Sequence, residues 1–393
     1  MESQANVIGV SMVKFEKPGR NEPYEIMASK AIRGALADAG IDLQEVNQAY
    51  ASYVYGDSTC GQSALYLVGM TGIPIINVNN NCSSGSTALY MARQAVESGA
   101  ADCVLAFGFE EMKPGVIGDN WTDRTSPFQW LNNSFEKLNP DLPDGPIALK
   151  VFGAAGLEYL KKYDAEVDIF GKVALKSRKH AVNNPYSLFT QELQLAEVMD
   201  APIVYPGLTR FMACPPTCGA AAVIVCSDRF AKKHNIQKTV KIVAQSMTTD
   251  TPDSIEDNLH LVGAGMTERA VKEVYEKSGI SPEEVDVIEL HDCFTPNEVI
   301  TYEALGLCGE GEASKLIADG DNTYGGKYVI NPSGGLMSKG HPLGATGLAQ
   351  CTELVWHLRG DAGNRQVEGA RLALQHNLGL GGACVVTLYE KGS

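Results

Sequence analysis

Ala31-Ile-Arg-Gly-Ala-Leu-Ala-Asp-Ala-Gly-Ile-Asp-Leu-Gln-Glu-Val-Asn47 aligns without a gap on Ala270-Val-Lys-Glu-Val-Tyr-Glu-Lys-Ser-Gly-Ile-Ser-Pro-Glu-Glu-Val-Asp286. Both stretches carry apolar residues at helical spacing, end that run at a glycine (Gly40, Gly279), and pass through an acidic turn. The spacing predicts a following strand in each case, over 49–55 and 287–291. A second pair follows in the same order. Cys82-Ser-Ser-Gly-Ser-Thr-Ala-Leu89 aligns on His341-Pro-Leu-Gly-Ala-Thr-Gly-Leu348, sharing Gly85/Gly344, Thr87/Thr346 and Leu89/Leu348. Each copy opens a helix, starting at the cysteine in one half and with Pro342 at the first helical position in the other. Apolar strands over 102–108 and 382–388 are expected to close the two halves. Two repeats in one order imply an internally duplicated α/β protein whose halves differ in loop length.

The chain has 393 residues, 44% hydrophobic and 20% charged, with 32 Lys+Arg against 47 Asp+Glu and a net charge of −15. That is the composition of a globular protein, and its acidity argues against nucleic acid as a partner. No apolar run approaches the length of a membrane span. Residues 1–20 lack a signal-peptide layout, and the last residues are not a peroxisomal tripeptide. Cytoplasm is the expected setting, with a peroxisome or mitochondrion as the alternative if a targeting segment lies outside this sequence. Residues 1–112 read as the first half and 241–393 as the second. An inserted segment over 113–240 returns to the first half at its end. It holds Lys150, Lys161, Lys162, Lys172, Lys176, Arg178, Lys179 and Arg210. Solvated helix faces are the plain explanation of such charge; a cap that attracts a polyanion is the functional one.

Ten cysteines lie in mostly apolar surroundings, and a disulfide framework does not fit a chain of this type. Cys214, Cys218 and Cys226 have loosely zinc-like spacing, but they run into a buried strand with no fourth ligand near, so no metal is expected. Cys82 differs. An apolar strand over 73–78 enters Asn79-Asn80-Asn81, and a helix then starts, which would place the thiol at a helix dipole's positive end and lower its pKa. If the halves are related by a pseudo-twofold axis, His341 meets Cys82 near it and can accept the thiol proton. A third stretch, Ile288-Glu-Leu-His291-Asp292-Cys293-Phe294, puts three reactive side chains at a strand end. Three consecutive residues alternate faces, so they cannot all chelate one ion. A fourth, Leu374-Gln-His376-Asn377-Leu-Gly379-Leu-Gly381-Gly382, precedes an apolar strand and not a helix. It reads as a glycine turn offering N–H groups to an oxyanion, not as a nucleotide loop.

Taken together, Asn-Asn-Asn-Cys82-Ser-Ser-Gly, His291-Asp-Cys293-Phe, Gly340-His341-Pro-Leu-Gly and His376-Asn-Leu-Gly379 resemble the four active-site loops of the thiolase superfamily, in order and across essentially the whole chain. The resemblance is to its sterol carrier protein 2 branch. It implies two pseudo-symmetric βαβαβ-type halves in a five-layered α-β-α-β-α arrangement with an inserted loop domain. It also implies CoA-dependent cleavage of a 3-oxoacyl-CoA, with Cys82 as nucleophile and His341 as its activator. Most thiolases carry a second thiol in a C-terminal Cys-x-Gly loop. Here Asn377-Leu378-Gly379 stands there, and the resemblance implies that Cys293 supplies the acid/base thiol while Cys384 is structural. It further implies two oxyanion sites, one from His341 with His291, the other from the N–H groups of Cys82 and Gly379, with Asn377 alongside. Coenzyme A is then a substrate; no resident cofactor or metal is implied, and a homodimer is expected, with a tetramer as the alternative. Rival readings are a thiolase-fold acyl-CoA lyase, whose members tend to lack the nucleophilic cysteine, and a non-catalytic acyl-CoA or lipid carrier.

Overall fold

The computed structural model describes residues 4–115, 118 and 121–392. Ten strands carry the fold: β1 Ala5–Met12, β2 Gln48–Ser52, β3 Ile75–Val78, β4 Cys103–Glu110, β5 Gly219–Ser227, β6 Val240–Thr248, β7 Val287–Glu289, β8 Val329–Ile330, β9 Leu372–Gly379 and β10 Ala383–Lys391. Their order is β3-β2-β4-β5-β1 followed by β6-β10-β9-β7-β8. In each set the three strands farthest from the junction run parallel and the last two pair antiparallel. The same order in both sets is the duplication seen in the repeats. Only Asn6↔Lys241 and Val7↔Val240 pair β1 with β6, so two five-stranded sheets meet at one corner.

Alternation along the strands builds the layers. In β5, Ala221, Val223 and Val225 face one apolar cluster, while Ala220, Ala222, Ile224 and Cys226 face another. The first cluster contains Ala88, Leu89 and Ala92 of α2, Ser84–Glu97, together with Leu348, Leu354 and Val355 of α3, Thr346–Arg359. These two helices form the middle layer between the sheets. Outside the first sheet lies the helix Tyr24–Ala39, and outside the second lies Ala264–Ser278. The repeated glycines stop these helices in left-handed conformation, Gly40 at φ 66° and Gly279 at φ 70°. The result is a five-layered α-β-α-β-α sandwich.

Three local expectations change. The middle helices start later than their repeats suggest, at Ser84 and Thr346, so Cys82 and His341 sit in the turns that precede them. Pro342 heads such a turn, its carbonyl accepting the N–H groups of Ala345 and Thr346. The strand that follows α3 is β9, which makes β9 the counterpart of β4 and makes β10 the counterpart of β5. Polar residues disguised β9: Gln375, His376 and Asn377 are fully buried and spend their polar atoms inside the molecule. Between β4 and β5 lie the helices Gln129–Leu138, Ile147–Tyr163 and α4, Asp168–Ala181. They pack on the second half, with Phe152 stacked on Phe294 at 4.9 Å, beside Cys293.

Candidate active site

The Cys82 turn is shaped by its three asparagines. Asn81 takes φ 51°, which asparagine tolerates, while its N–H donates to Asn79 Oδ1 and its amide donates to the Leu380 carbonyl. Asn80 N–H donates to Ser84 Oγ. The turn closes against the end of β9 so tightly that a Cβ on Gly379 would lie 2.2 Å from the Asn80 carbonyl oxygen. Cys82 is 8% exposed. Burial pushes its thiol up to about 12, the Leu380 N–H pulls it down, and the Glu110 carboxyl pushes it up. The lowered pKa expected from a helix start is therefore not found, because desolvation outweighs a dipole that begins two residues later.

His341 approaches from the matching turn of the other half. The approach needs small residues: a Cβ on Gly85 would lie 3.0 Å from the Gly344 carbonyl oxygen, and one on Gly347 would lie 2.1 Å from Ser86 Oγ. Thr346 Oγ donates to the Pro342 carbonyl and lies 2.7 Å from His341 Nδ1. With its proton spent, that hydroxyl accepts from Nδ1–H, which assigns the tautomer and leaves Nε2 a lone pair. Nε2 is sealed from solvent, with no hydrogen-bond partner among the described residues. Burial lowers the ring to about 3, so it is a neutral base. Cys82 Sγ and one ring nitrogen from each of His341 and His291 lie within 4.8 Å of one another.

His291 is held by β9. Gln375 Nε2 donates to Ser86 Oγ, Ser86 donates to Asn377 Oδ1, and Asn377 Nδ2 then donates to His291 Nδ1 at 3.1 Å. The chain of donors leaves the His291 proton on Nε2, in a ring that burial and the neighbouring His341 and His376 keep neutral. His376 points elsewhere, its Nε2 on Thr267 and its Nδ1 accepting the His291 backbone N–H. The two imidazoles meet edge to face at 5.1 Å. One thiol and two imidazoles are also the donors of an open zinc site, so a soft divalent ion would compete for the same atoms.

Cys293 is buried, and the nearest influences on its raised pKa after burial are Cys214 and then Cys82. Three thiols thus share one region. Cys214 N–H donates to the Cys293 carbonyl at 2.9 Å, and Ala213 pairs with Phe294, so Cys214 lies directly across from Cys293. Cys384 is fully buried, with its sulfur on Thr267 Oγ. Asp292 turns away from the thiols to accept the N–H groups of Leu336 and Met337.

Glu110, Thr346, Leu380 and Cys214 escape a reading by motif, since none lies within the four loops' signature residues; the repeat of Thr346 with Thr87 is the signal that could have found it. Glu110, 1% exposed, accepts N–H groups from Val54, Tyr55 and Gly344, clamping the His341 turn to the first half. Burial raises its carboxyl to about 7, against those hydrogen bonds. Of the basic side chains between β4 and β5, five are already paired: Arg124 with Asp123, Lys150 with Asp144, Lys162 with Glu310, Lys172 with Asp168, and buried Lys176 with Glu298.

Family models described as "Thiolase, N-terminal domain" and "Thiolase C-terminal domain-like" match residues 6–201 and 249–389. The chain belongs to the thiolase superfamily, in its sterol carrier protein 2 branch. It is 56% identical to "Sterol carrier protein 2" of Oryctolagus cuniculus over 98% of this chain and 72% of the relative, and 54% identical to that of Homo sapiens over 98% and 72%. A more distant relative, the "Benzoylsuccinyl-CoA thiolase subunit BbsB" of Thauera aromatica, is 34% identical over 97% of this chain and 96% of its own. Among solved structures, the human mitochondrial 3-ketoacyl-CoA thiolase superposes with a TM-score of 0.74 at 18% identity over 99% of each chain. An Ltp2-ChsH2(DUF35) aldolase superposes at 0.83 and 22%, over 99% and 98%. Both likenesses concern the fold. No described helix is long and apolar enough to cross a membrane.

Proposed function

We propose that this thiolase-superfamily chain cleaves 3-oxoacyl-CoA with coenzyme A, through an acyl thioester on Cys82. The observation that carries the reading is a buried thiol with one ring nitrogen of His341 within 4.8 Å of it, in a ring whose Nε2 is sealed and has no hydrogen-bond partner among the described residues. A neutral thiol facing a neutral imidazole calls for attack and proton transfer in one step. Sγ adds to the 3-oxo carbon as Nε2 takes its proton, and the oxyanion is stabilised by the Cys82 N–H and, in the place expected for Gly379, by the N–H of the next residue, Leu380, which bonds to the thiol. Collapse breaks the bond between C2 and C3. The departing enolate is stabilised by the His291 Nε2–H and receives a proton from the Cys293 thiol. Acetyl-CoA, or propanoyl-CoA from a 2-methyl-branched substrate, then leaves. The Cys293 thiolate takes the proton of an incoming CoA thiol, whose sulfur attacks the thioester. Cys82 departs and regains its proton from His341. The reverse sequence is a Claisen condensation on the same groups.

Steady-state thiolysis tests this reading. Parallel double-reciprocal lines for CoA at several 3-oxoacyl-CoA concentrations are expected, as a two-step exchange requires. Binding of acyl-CoA without turnover would make the chain a carrier. The rival reading is a lyase on the same fold, against which the intact Cys82 speaks. Cleavage of a 3-hydroxyacyl-CoA with no CoA requirement would establish it in place of thiolysis.

A further inference from the structure

Once the paired lysines are set aside, α4 retains one cation of unusual placement. Arg178 is 9% exposed, yet among the described residues it has no carboxylate partner and no hydrogen-bond acceptor. Burial alone pulls its pKa down, to about 10, so it remains charged. A charge removed from water without a partner is costly and needs a compensating reason.

The surroundings of this guanidinium supply half of that reason. Its centre lies 4.0 Å from the Phe189 ring and 5.6 Å from the Phe211 ring. Cation–π contacts of this kind cover guanidinium faces and leave the in-plane N–H donors at the edge. None of those nitrogens is among the polar atoms sealed from solvent, so the edge opens outward. Two more cations flank the rings, Lys17 over Phe189 at 5.1 Å and Arg210 over Phe211 at 4.9 Å. In a chain of net charge −15, three cations thus share two aromatic rings. It also borders the active site. The N–H of Phe189 donates to the carbonyl of Ser338, three residues before His341, and Phe211 stands three residues before Cys214, which bonds to Cys293.

We propose that Arg178, set against the Phe189 and Phe211 rings, is a phosphate-binding group placed to take a phosphate of coenzyme A. Naming coenzyme A rests on the proposed function; the phosphate chemistry does not. A planar fork with its faces covered presents paired N–H donors to two oxygens of one phosphate, and Lys17 and Arg210 add long-range attraction.

The test is equilibrium binding of adenosine 3′,5′-bisphosphate and of CoA to the full chain by calorimetry. Arg178→Gln should weaken both by about ten- to a hundredfold, the worth of a lost charge-assisted contact. Arg178→Lys should fall between, keeping charge but losing the fork. In turnover at saturating 3-oxoacyl-CoA, KM for CoA should rise with kcat unchanged, while kcat/KM for N-acetylcysteamine as acceptor should stay at the wild-type value. Equal bisphosphate affinity in wild type and Arg178→Gln overturns the proposal, as does an equal fall in kcat/KM for N-acetylcysteamine and for CoA. Inorganic phosphate binding as tightly as the bisphosphate would overturn the assignment to coenzyme A. Should Arg178→Gln fail to fold, Phe211→Leu removes one covering ring and must still weaken bisphosphate binding. If bisphosphate binding depends on Arg178 but no acyl enzyme ever forms, the phosphate site stands and the thiolase reading falls.

Discussion

Replacing Thr346 by valine isolates the positioning of the base from its chemistry. The hydroxyl accepts from His341 Nδ1 at 2.7 Å and donates to the Pro342 carbonyl. Valine matches its shape but offers no acceptor. His341 then either keeps a buried, unsatisfied Nδ1–H or moves its proton to Nε2, where it can no longer accept from Cys82. Leaving a buried donor unsatisfied costs about 1–3 kcal/mol, which corresponds to about five- to 150-fold in the rate of acylation. Single-turnover quench with acetoacetyl-CoA, followed by mass measurement of the protein, reads that rate directly. Thr346→Ser, which restores an acceptor, should recover most of the loss. Acylation at the wild-type rate in Thr346→Val, or an equal loss in Thr346→Ser, would refute the tautomer argument.

Cys293→Ala should form the acyl enzyme only in part, for want of the proton donor to the enolate, and should not turn over, whereas Cys384→Ala should stay active within a few-fold; the opposite pattern in steady-state thiolysis would reassign the second thiol. Glu110 has a folded pKa raised from 4.5 to about 7. Its contribution to stability is thus present below about pH 4.5 and is lost as pH rises through about 7, by about 3 kcal/mol in order of magnitude. Urea unfolding at about pH 5 and pH 8 should show that fall, and Glu110→Gln should flatten it. Homodimerisation is expected through the free edge of β3 and the chain before it, where Tyr66, Leu67, Met70 and Ile76 are exposed. Sedimentation should find a dimer in wild type and a monomer in Met70→Glu/Ile76→Glu; a monomeric wild type removes the idea.

Much of the fold was legible because duplication is a pattern in sequence order, and the two glycine-stopped helices and the Cys82/His341 pair carry it openly. Strand β9 was hidden for a physical reason. It buries Gln375, His376 and Asn377, so apolar alternation, the usual mark of a strand, is absent where the site needs polar groups. The thiol's pKa was misjudged because sequence shows a helix start but not the desolvation around it. Glu110 and Leu380 each act on a loop distant in sequence, a relation that exists only once the halves have folded together, whereas Thr346 acts on His341 five residues before it and shows only once that turn has formed. Basic charge between β4 and β5 also looked more available than it is, since carboxylates pair with five of its cations.

The central claim is that Cys82 becomes acylated, and intact-protein mass spectrometry after incubation with acetoacetyl-CoA tests it most directly. Wild type should gain one acetyl group, lose it on addition of CoA, and yield a labelled peptide containing Cys82, while Cys82→Ala gains nothing. A wild type that never gains the group, or a Cys82→Ala variant that still does, would contradict the account.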